Sequence, residues 1–512
     1  MLGSEVINSP VPRDLGLRMA KGAAWMIALR WSIRGIGLVS LVVLARLLVP
    51  ADFGLVAIAT ALSGALAAMS EFGFQVALIQ NQTADRRHYD SAWTLGILRG
   101  LVVAAALAAC AGPLAVMFSD PRLEPILLVL AVGVVVTSLE NIGVVDFRKD
   151  LQFQREFVYR ALSKITSFAI TVPLAIILRN YWALVVGIVA GQLAGALLSY
   201  MLCAYRPRLS FSAWRELVRF SKWLLLNSIL SFVYHRTDAF VIGRFAGAGP
   251  LGLYAVAHEI ASLPTTEMVA PVRAALLPGY AKLAAQGERL RSGFATTFGL
   301  IIMAAMPVAV GIGLMADPLV RLALGDRWLA AVPVLEVLAI YGVINVCIAN
   351  TWPIFIALGR PWINTALTAV GVILLVPLLL WSVQKAGIVG AAWSLVAVAA
   401  LVLVCTLSAV ARLLSLSPGL LLARAWRGFV AASAMTIAVV LLEGQWTQSK
   451  AQADLAALLL ACVISGALVY LTTLWLLWLA TGSDDDPEPE AIRLLRELLS
   501  TRATTTRPSR TC

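Results

Sequence analysis

Residues Trp223 to Ala257 read WLLLNSILSFVYHRTDAFVIGRFAGAGPLGLYAVA. A long apolar run is interrupted by His235, Arg236 and Asp238. It breaks at Gly247-Ala248-Gly249-Pro250 and restarts as a second apolar run. The same pattern occurs 198 residues earlier: Trp25 matches Trp223, Arg46 matches Arg244, Gly54-Leu55 match Gly252-Leu253, and Ala57 and Ala59 match Ala255 and Ala257. GRFAGAGPLGLYAVA thus lies over ARLLVPADFGLVAIA without a gap. Leu and Ala matches follow from composition, but Trp, Arg and Gly at one constant offset point to an internal repeat.

The surrounding chain is of one character. Of its 512 residues 60% are hydrophobic and 13% charged, against about 25% charged in soluble proteins. Its mean hydropathy is +0.87. This is the composition of a polytopic α-helical membrane protein. Five of the six cysteines (Cys110, Cys203, Cys347, Cys405, Cys462) lie in apolar runs and Cys512 ends the chain. None has metal or redox spacing, so no metal site is expected. The first apolar run begins near Ala23 and no small-residue cleavage site follows it, so no cleaved signal is expected.

About fourteen apolar runs approach the ~20 residues that a bilayer core needs. With the amino terminus placed in the cytoplasm, 26 Lys and Arg fall on inside segments and 8 on outside turns. This follows the positive-inside rule and also accounts for the net charge of +12 without invoking nucleic acid. The expected organisation is a cytoplasmic N-terminus over 1–22 and a first six-helix lobe over 23–204. A cytoplasmic amphipathic linker helix over 205–222 leads to a second six-helix lobe over 223–410. A helix pair over 411–482 and a cytoplasmic tail over 483–512 complete the chain. Six spans per repeat make the lobes parallel, related by a pseudo-two-fold along the membrane normal.

Charge at membrane depth is costly and marks a bundle interior or a wet cavity. Six cations fall within the predicted spans: Arg30, Arg34, Arg99, Lys164, Arg236 and Arg273. Arg30 and Arg34 share one helix face. With Arg236 and Arg273 they come from the first two spans of each lobe. Guanidinium groups suit phosphate because their donor fork reaches two oxygens, so these four form a candidate cationic cavity for an anionic head group. The competing reading is that such cations snorkel to span ends or pair with buried acids, which fits Arg99 and Lys164 better. Asp238, Glu71 and Glu259 are candidates for a coupling charge or for a structural one. No phosphate-binding glycine loop is present, so no ATPase is built in.

The segment Lys21–Ala59 resembles the opening of bacterial polysaccharide exporters of the Wzx type. The residues that carry the resemblance are Ala45–Leu48, Pro50 and Asp52–Gly54, with Glu71-Phe72-Gly73-Phe74 after them. The second lobe adds Arg236-x-Asp238, Ile242-Gly243-Arg244 and Gly252-Leu253-Tyr254. It covers about residues 20–410. The superfamily includes the lipid II flippase and multidrug/cation antiporters, and the resemblance implies two six-helix lobes working by alternating access. It further implies an inner-membrane protein with both termini cytoplasmic, not an enzyme. Such a protein would translocate undecaprenyl-diphosphate-linked oligosaccharide repeat units for exopolysaccharide, capsule or O-antigen assembly. Its partners would be membrane lipids and the polymerase and glycosyltransferases of the same pathway. It needs no cofactor beyond a coupling ion, H+ or Na+. The lipid II flippase has arginines in spans 1 and 8, and Arg30, Arg34 and Arg273 are similarly placed.

Two other readings compete. A cation-coupled multidrug exporter of the same fold would centre its site on acids, whereas the deep charges here lean basic. A membrane glycosyltransferase or polymerase would need a sizeable outside loop, and the longest outside segment is about 317–331.

Overall fold

The computed structural model describes residues 13–71, 73–81, 83–150, 152–445 and 452–481. The tail expected over 483–512 and most of the expected cytoplasmic N-terminus lie outside these residues, as do Phe72 and the side chains of Trp25 and Trp223. The described chain is all helical. The first part holds α1 (Arg13–Leu47), α2 (Pro50–Met69), α3 (Phe74–Gln80), α4 (Arg86–Met117), α5 (Leu123–Ser138), α6 (Val145–Lys149), α7 (Phe153–Leu178), α8 (Trp182–Leu202) and α9 (Trp214–Phe245). Then follow α10 (Ala248–Ala261), α11 (Ala270–Leu283), α12 (Gly287–Leu314), α13 (Ala316–Ala323), α14 (Val332–Ile348), α15 (Thr351–Ala357), α16 (Pro361–Leu414), α17 (Pro418–Gln445) and α18 (Gln452–Thr481).

Among the described residues nine helices are long and apolar enough to cross a membrane, or ten if α5 and the 142–149 segment, bent by 68°, form one span. One of the nine, α16, runs for 54 residues and joins two helices across Ala386-Gly387, where Gly387 takes φ +58°. This is a multi-pass membrane protein. The chain divides into two units, residues 1–252 and 253–512. The division falls later than the lobe boundary read from the sequence, because α9 packs on α2. Gly64 lies under Phe232, and Gly243 lies against Ile58.

Small residues set the closest contacts, as expected where lipid removes the hydrophobic drive for helix association. Along α8, Gly187, Gly191 and Gly195 repeat every four residues. They face Thr171, Ser167 and Ser163 of α7. A Cβ at Gly187 would sit 1.7 Å from Thr171 Oγ1. Among the described glycines the closest approach joins the two repeat sequences within the first unit. A Cβ on Gly54 would lie 1.6 Å from the carbonyl oxygen of Ala248, and one on Gly252 would lie 1.8 Å from that of Pro50. The contact is reciprocal, since 50 and 248, like 54 and 252, are separated by the repeat offset. Pro50 starts α2 at a position where its missing N–H is not needed. Asp52 accepts from the backbone N–H groups of Val49 and Tyr181, which ties the start of α2 to the start of α8.

The amphipathic helix expected over 205–222 is corrected. Residues 203–211 form no helix, and the chain becomes helical at Trp214 and stays so to Phe245. Pro207 has no N–H and steers the preceding residue away from helical angles. Polar side chains of α4 then offer the backbone other partners. Asp90 accepts from Arg208 N, Thr94 from Ser210 N, and Ser91 from Ala213 N.

In the second unit a core of Phe294, Phe298, Ile302, Phe355, Val410 and Met435 lies between α12, α15, α16 and α17. The last helix pair docks on it. Gly428 meets Ile302, and Tyr470 donates to the carbonyl of Met303. Arg427 is buried and donates to the carbonyl of Thr481 at the end of α18, where the helix dipole favours a cation.

Candidate functional site

Both repeats interrupt their second span, and the interruptions place charge. In the first unit α2 ends at Met69 and α3 restarts after Gly73, whose φ of +63° is a left-handed conformation that glycine adopts without strain. Glu71 closes this gap from two sides. Its Oε1 accepts from Gly73 N at 3.1 Å, and its Oε2 pairs with Arg99 of α4 at 2.5 Å. Glu71 and Arg99 therefore neutralise one another inside the first unit.

In the second unit α10 gives way to a π-helical segment, Pro264–Val269, and then to α11. Single-turn π segments recur at functional sites because they rotate the residues after them. Arg273 follows one turn later. Its guanidinium carbon stands 5.2 Å from the ring centroid of Trp352 on α15, within cation–π range.

The other predicted residues are placed as follows. Arg30 and Arg34 are half-buried on α1. Ser32 and Ile36 of the same helix line a cleft of about 510 Å³ against Phe157, Ala161 and Ile165 of α7. Residues two apart on a helix point about 200° from one another, so the arginines leave α1 on the side away from that cleft. Arg236 is exposed on α9, while Asp238, two residues on, is buried and accepts from Ala239 N. Glu259 is exposed on α10. Arg30, Arg34, Arg236, Asp238 and Glu71 belong to the first unit, and Arg273 and Glu259 to the second. Among the described residues no group of His, Cys, Asp and Glu is arranged to hold a metal.

Polar clusters that sequence reasoning missed gather where α4, α6 and α7 begin. Tyr89 donates to Asp146 at 2.5 Å, and Tyr205 donates to Asp90 at 2.6 Å. Burial and the Asp90 carboxylate push the Tyr205 phenol well above its usual range. Glu156 is buried and accepts from both Arg148 and Arg160. Asp85 caps α4. His88 and then Arg87, both hydrogen-bonded to it, hold its carboxyl down to about 2. The spacing Asp85-x-x-His88 was a visible signal for the cap of α4. Arg160 stands four residues from Glu156, a spacing visible in the sequence, whereas the partner of Tyr205, Asp90, lies far off and gave no signal.

The fold of the described residues has solved counterparts. A solved structure of the lipid II flippase MurJ, in an inward closed conformation, superposes with a TM-score of 0.72, covering 89% of this chain and 98% of that one at 13% identity. An inward-facing multidrug resistance transporter of the MATE family, in the MOP superfamily, superposes at 0.58 with 15% identity, covering 76% of this chain and 99% of that one. At such identities the likeness is one of fold.

The chain belongs to the polysaccharide biosynthesis protein family, whose match spans residues 43–333. It is 25% identical over 377 residues to the lipopolysaccharide biosynthesis protein WzxC of Escherichia coli K12, covering 72% of this chain and 76% of that one. It is 24% identical over 332 residues to the succinoglycan biosynthesis transport protein ExoT of Rhizobium meliloti, covering 64% and 67%. It is 25% identical over 328 residues to the teichuronic acid biosynthesis protein TuaB of Bacillus subtilis, covering 63% and 68%.

Proposed function

We propose that this protein flips undecaprenyl-diphosphate-linked oligosaccharide repeat units across the bacterial inner membrane by alternating access. The product serves exopolysaccharide, capsule or O-antigen assembly. One observation carries the reading: a chain of the polysaccharide biosynthesis family shares its fold with a lipid flippase. Its membrane-depth arginines support it, because a saccharide head with two phosphates cannot enter hydrocarbon unsolvated. Arg30, Arg34, Arg236 and Arg273 hold the diphosphate, the sugars occupy a polar interior, and the prenyl chain stays in lipid.

The architecture that goes with this reading has fourteen spans. Two six-helix lobes are related by a pseudo-two-fold axis, with two further helices after them and both termini in the cytoplasm. The reciprocal Gly54–Gly252 contact supports such an axis, since a two-fold makes residue i meet j and j meet i. The chain acts as a transporter rather than an enzyme. An H+ or Na+ gradient, the membrane potential or downstream consumption drives it, and Asp238 and Glu259 are the acids to test for ion coupling. Polymerase and glycosyltransferases of the pathway are its partners.

The test is complementation of a flippase-deficient strain at matched protein levels. Arg30→Ala and Arg273→Ala are expected to cut polymer export at least tenfold, or ~1.4 kcal/mol of lost stabilisation, and the Lys variants to retain more. Unimpaired export by both Ala variants would sink the cationic-site model. The likeness to a multidrug transporter favours a second reading, drug export. A deletion strain with raised drug susceptibility and normal polymer would select it.

A further inference from the structure

Resting on the flippase reading, we infer that Trp352 is a stacking platform for the sugar attached directly to the diphosphate, and that with Arg273 it forms one phosphate–sugar reading unit. Four observations carry this. First, α15 is otherwise buried at this end: Thr351 is 1% exposed, Ile354 and Phe355 are 0% exposed, and Trp352 between them is 38% exposed. A buried helix that presents a single large aromatic ring is holding that ring out.

Second, the joint that carries the ring is anchored. Asn350, at the joint between α14 and α15, is fully buried. It accepts from Tyr280 OH at 2.8 Å and donates to Thr297 Oγ1 at 3.1 Å. Third, Tyr280 and Arg273 lie seven residues apart on α11, two turns along one face. The face that anchors the joint is therefore also the face that brings the guanidinium to the indole, 5.2 Å from its centroid. Fourth, the π segment Pro264–Val269 sets the rotation of that face relative to α10.

The chemistry fits one ligand class. In a lipid-linked saccharide a single oxygen joins the second phosphate to the first sugar. Groups that read both must stand side by side, as a guanidinium and an indole do here. Arg273 covers one face of the indole. The other face suits the C–H groups of a pyranose, which pack on an aromatic surface as apolar groups do. The guanidinium fork takes phosphate oxygens.

The experiment compares two probes on the purified full chain in nanodiscs: undecaprenyl diphosphate, bare and carrying one glucose. Binding is read by titration and folding by thermal melting. The wild type is expected to bind the glucosylated probe about fivefold more tightly, the size of one aromatic contact. Trp352→Leu is expected to reduce that preference to less than about twofold while leaving the bare lipid within about threefold of wild type, and Trp352→Phe to keep part of the preference. Arg273→Gln is expected to weaken both probes at least about tenfold.

If Trp352→Leu keeps the full preference, the ring is an interfacial anchor and the inference falls while the flippase reading stands. If Trp352→Leu melts as the wild type does but loses both probes equally, Trp352 only props Arg273 and the stacking role falls. If the wild type binds neither probe, the flippase reading falls and takes this inference with it.

Discussion

Between α2 and α3 the chain leaves the helix, turns through Gly73 in a left-handed conformation, and seals the gap with Glu71 and Arg99. Between α10 and α11 it stays helical but widens into a π segment, and the next arginine leans on an indole. The two interruptions fall at corresponding places, since the repeat offset carries Glu71 onto Val269. The same need, a second span that bends at depth, is met once by a neutralised ion pair and once by a rotated helix with a cation on an aromatic face. The first arrangement uses its charge to hold the fold. The second displays its charge beside a half-exposed ring. A repeat can therefore duplicate a backbone device without duplicating its chemistry.

The most severe way to break the comparison is at the point where the two broken spans begin. Gly252→Val would place a side chain on the carbonyl of Pro50, which cannot swing away as a side chain can. It is expected to cost more than about 3 kcal/mol and to remove folded protein from detergent extracts. Gly249→Val, with nothing within 4 Å of its Cβ, is the matched control and should melt near wild type.

Inserting one alanine between Val269 and Ala270 tests the second interruption. The added residue rotates Arg273 by about 100° relative to α10. Export should fall to background while melting drops less than in Gly252→Val. Normal export would show that the rotation is immaterial.

The mildest change addresses the first interruption. Glu71→Ala should lower stability by about 1–3 kcal/mol, and Glu71→Gln by less, because an amide oxygen can still accept from Gly73 N. Since Arg99 loses its partner in either case, adding Arg99→Gln should destabilise by clearly less than the sum of the single changes. Strict additivity in melting experiments would mean that the pair does no joint work.

Much of the fold was legible because it is written in local terms. Apolar runs, the Lys and Arg bias and the 198-residue offset need no knowledge of three-dimensional contacts, and Gly54 with Gly252 stood out as a matched pair. The linker was misread for a physical reason. Leu209, Phe211, Trp214, Leu217 and Val218 have helical spacing, but Asp90, Ser91 and Thr94, more than a hundred residues away, claim the backbone donors that a helix would use. The candidate site was legible as charge at depth and not as geometry. Arg273 announced itself as a cation in an apolar run. Trp352 looked like one of fifteen tryptophans, because what distinguishes it is burial of its neighbours and the fixed joint at Asn350. Glu71 was visible as an acid, but its commitment to Arg99 depends on how α4 returns past α2.

The seam between α7 and α8 bears on how the chain enters the membrane during synthesis. Ser163 donates to the carbonyl of Tyr159 and Thr171 to that of Ser167, each within its own helix. These two hydroxyls are satisfied within α7 before any neighbour arrives. When α8 emerges next, Gly187, Gly191 and Gly195 offer a smooth track on which its backbone can settle, and the bond from Ser167 to the carbonyl of Gly187 then fixes the register. The hairpin can thus be assembled in the order in which the ribosome delivers it, with no helix left waiting for a partner from the distant end of the chain.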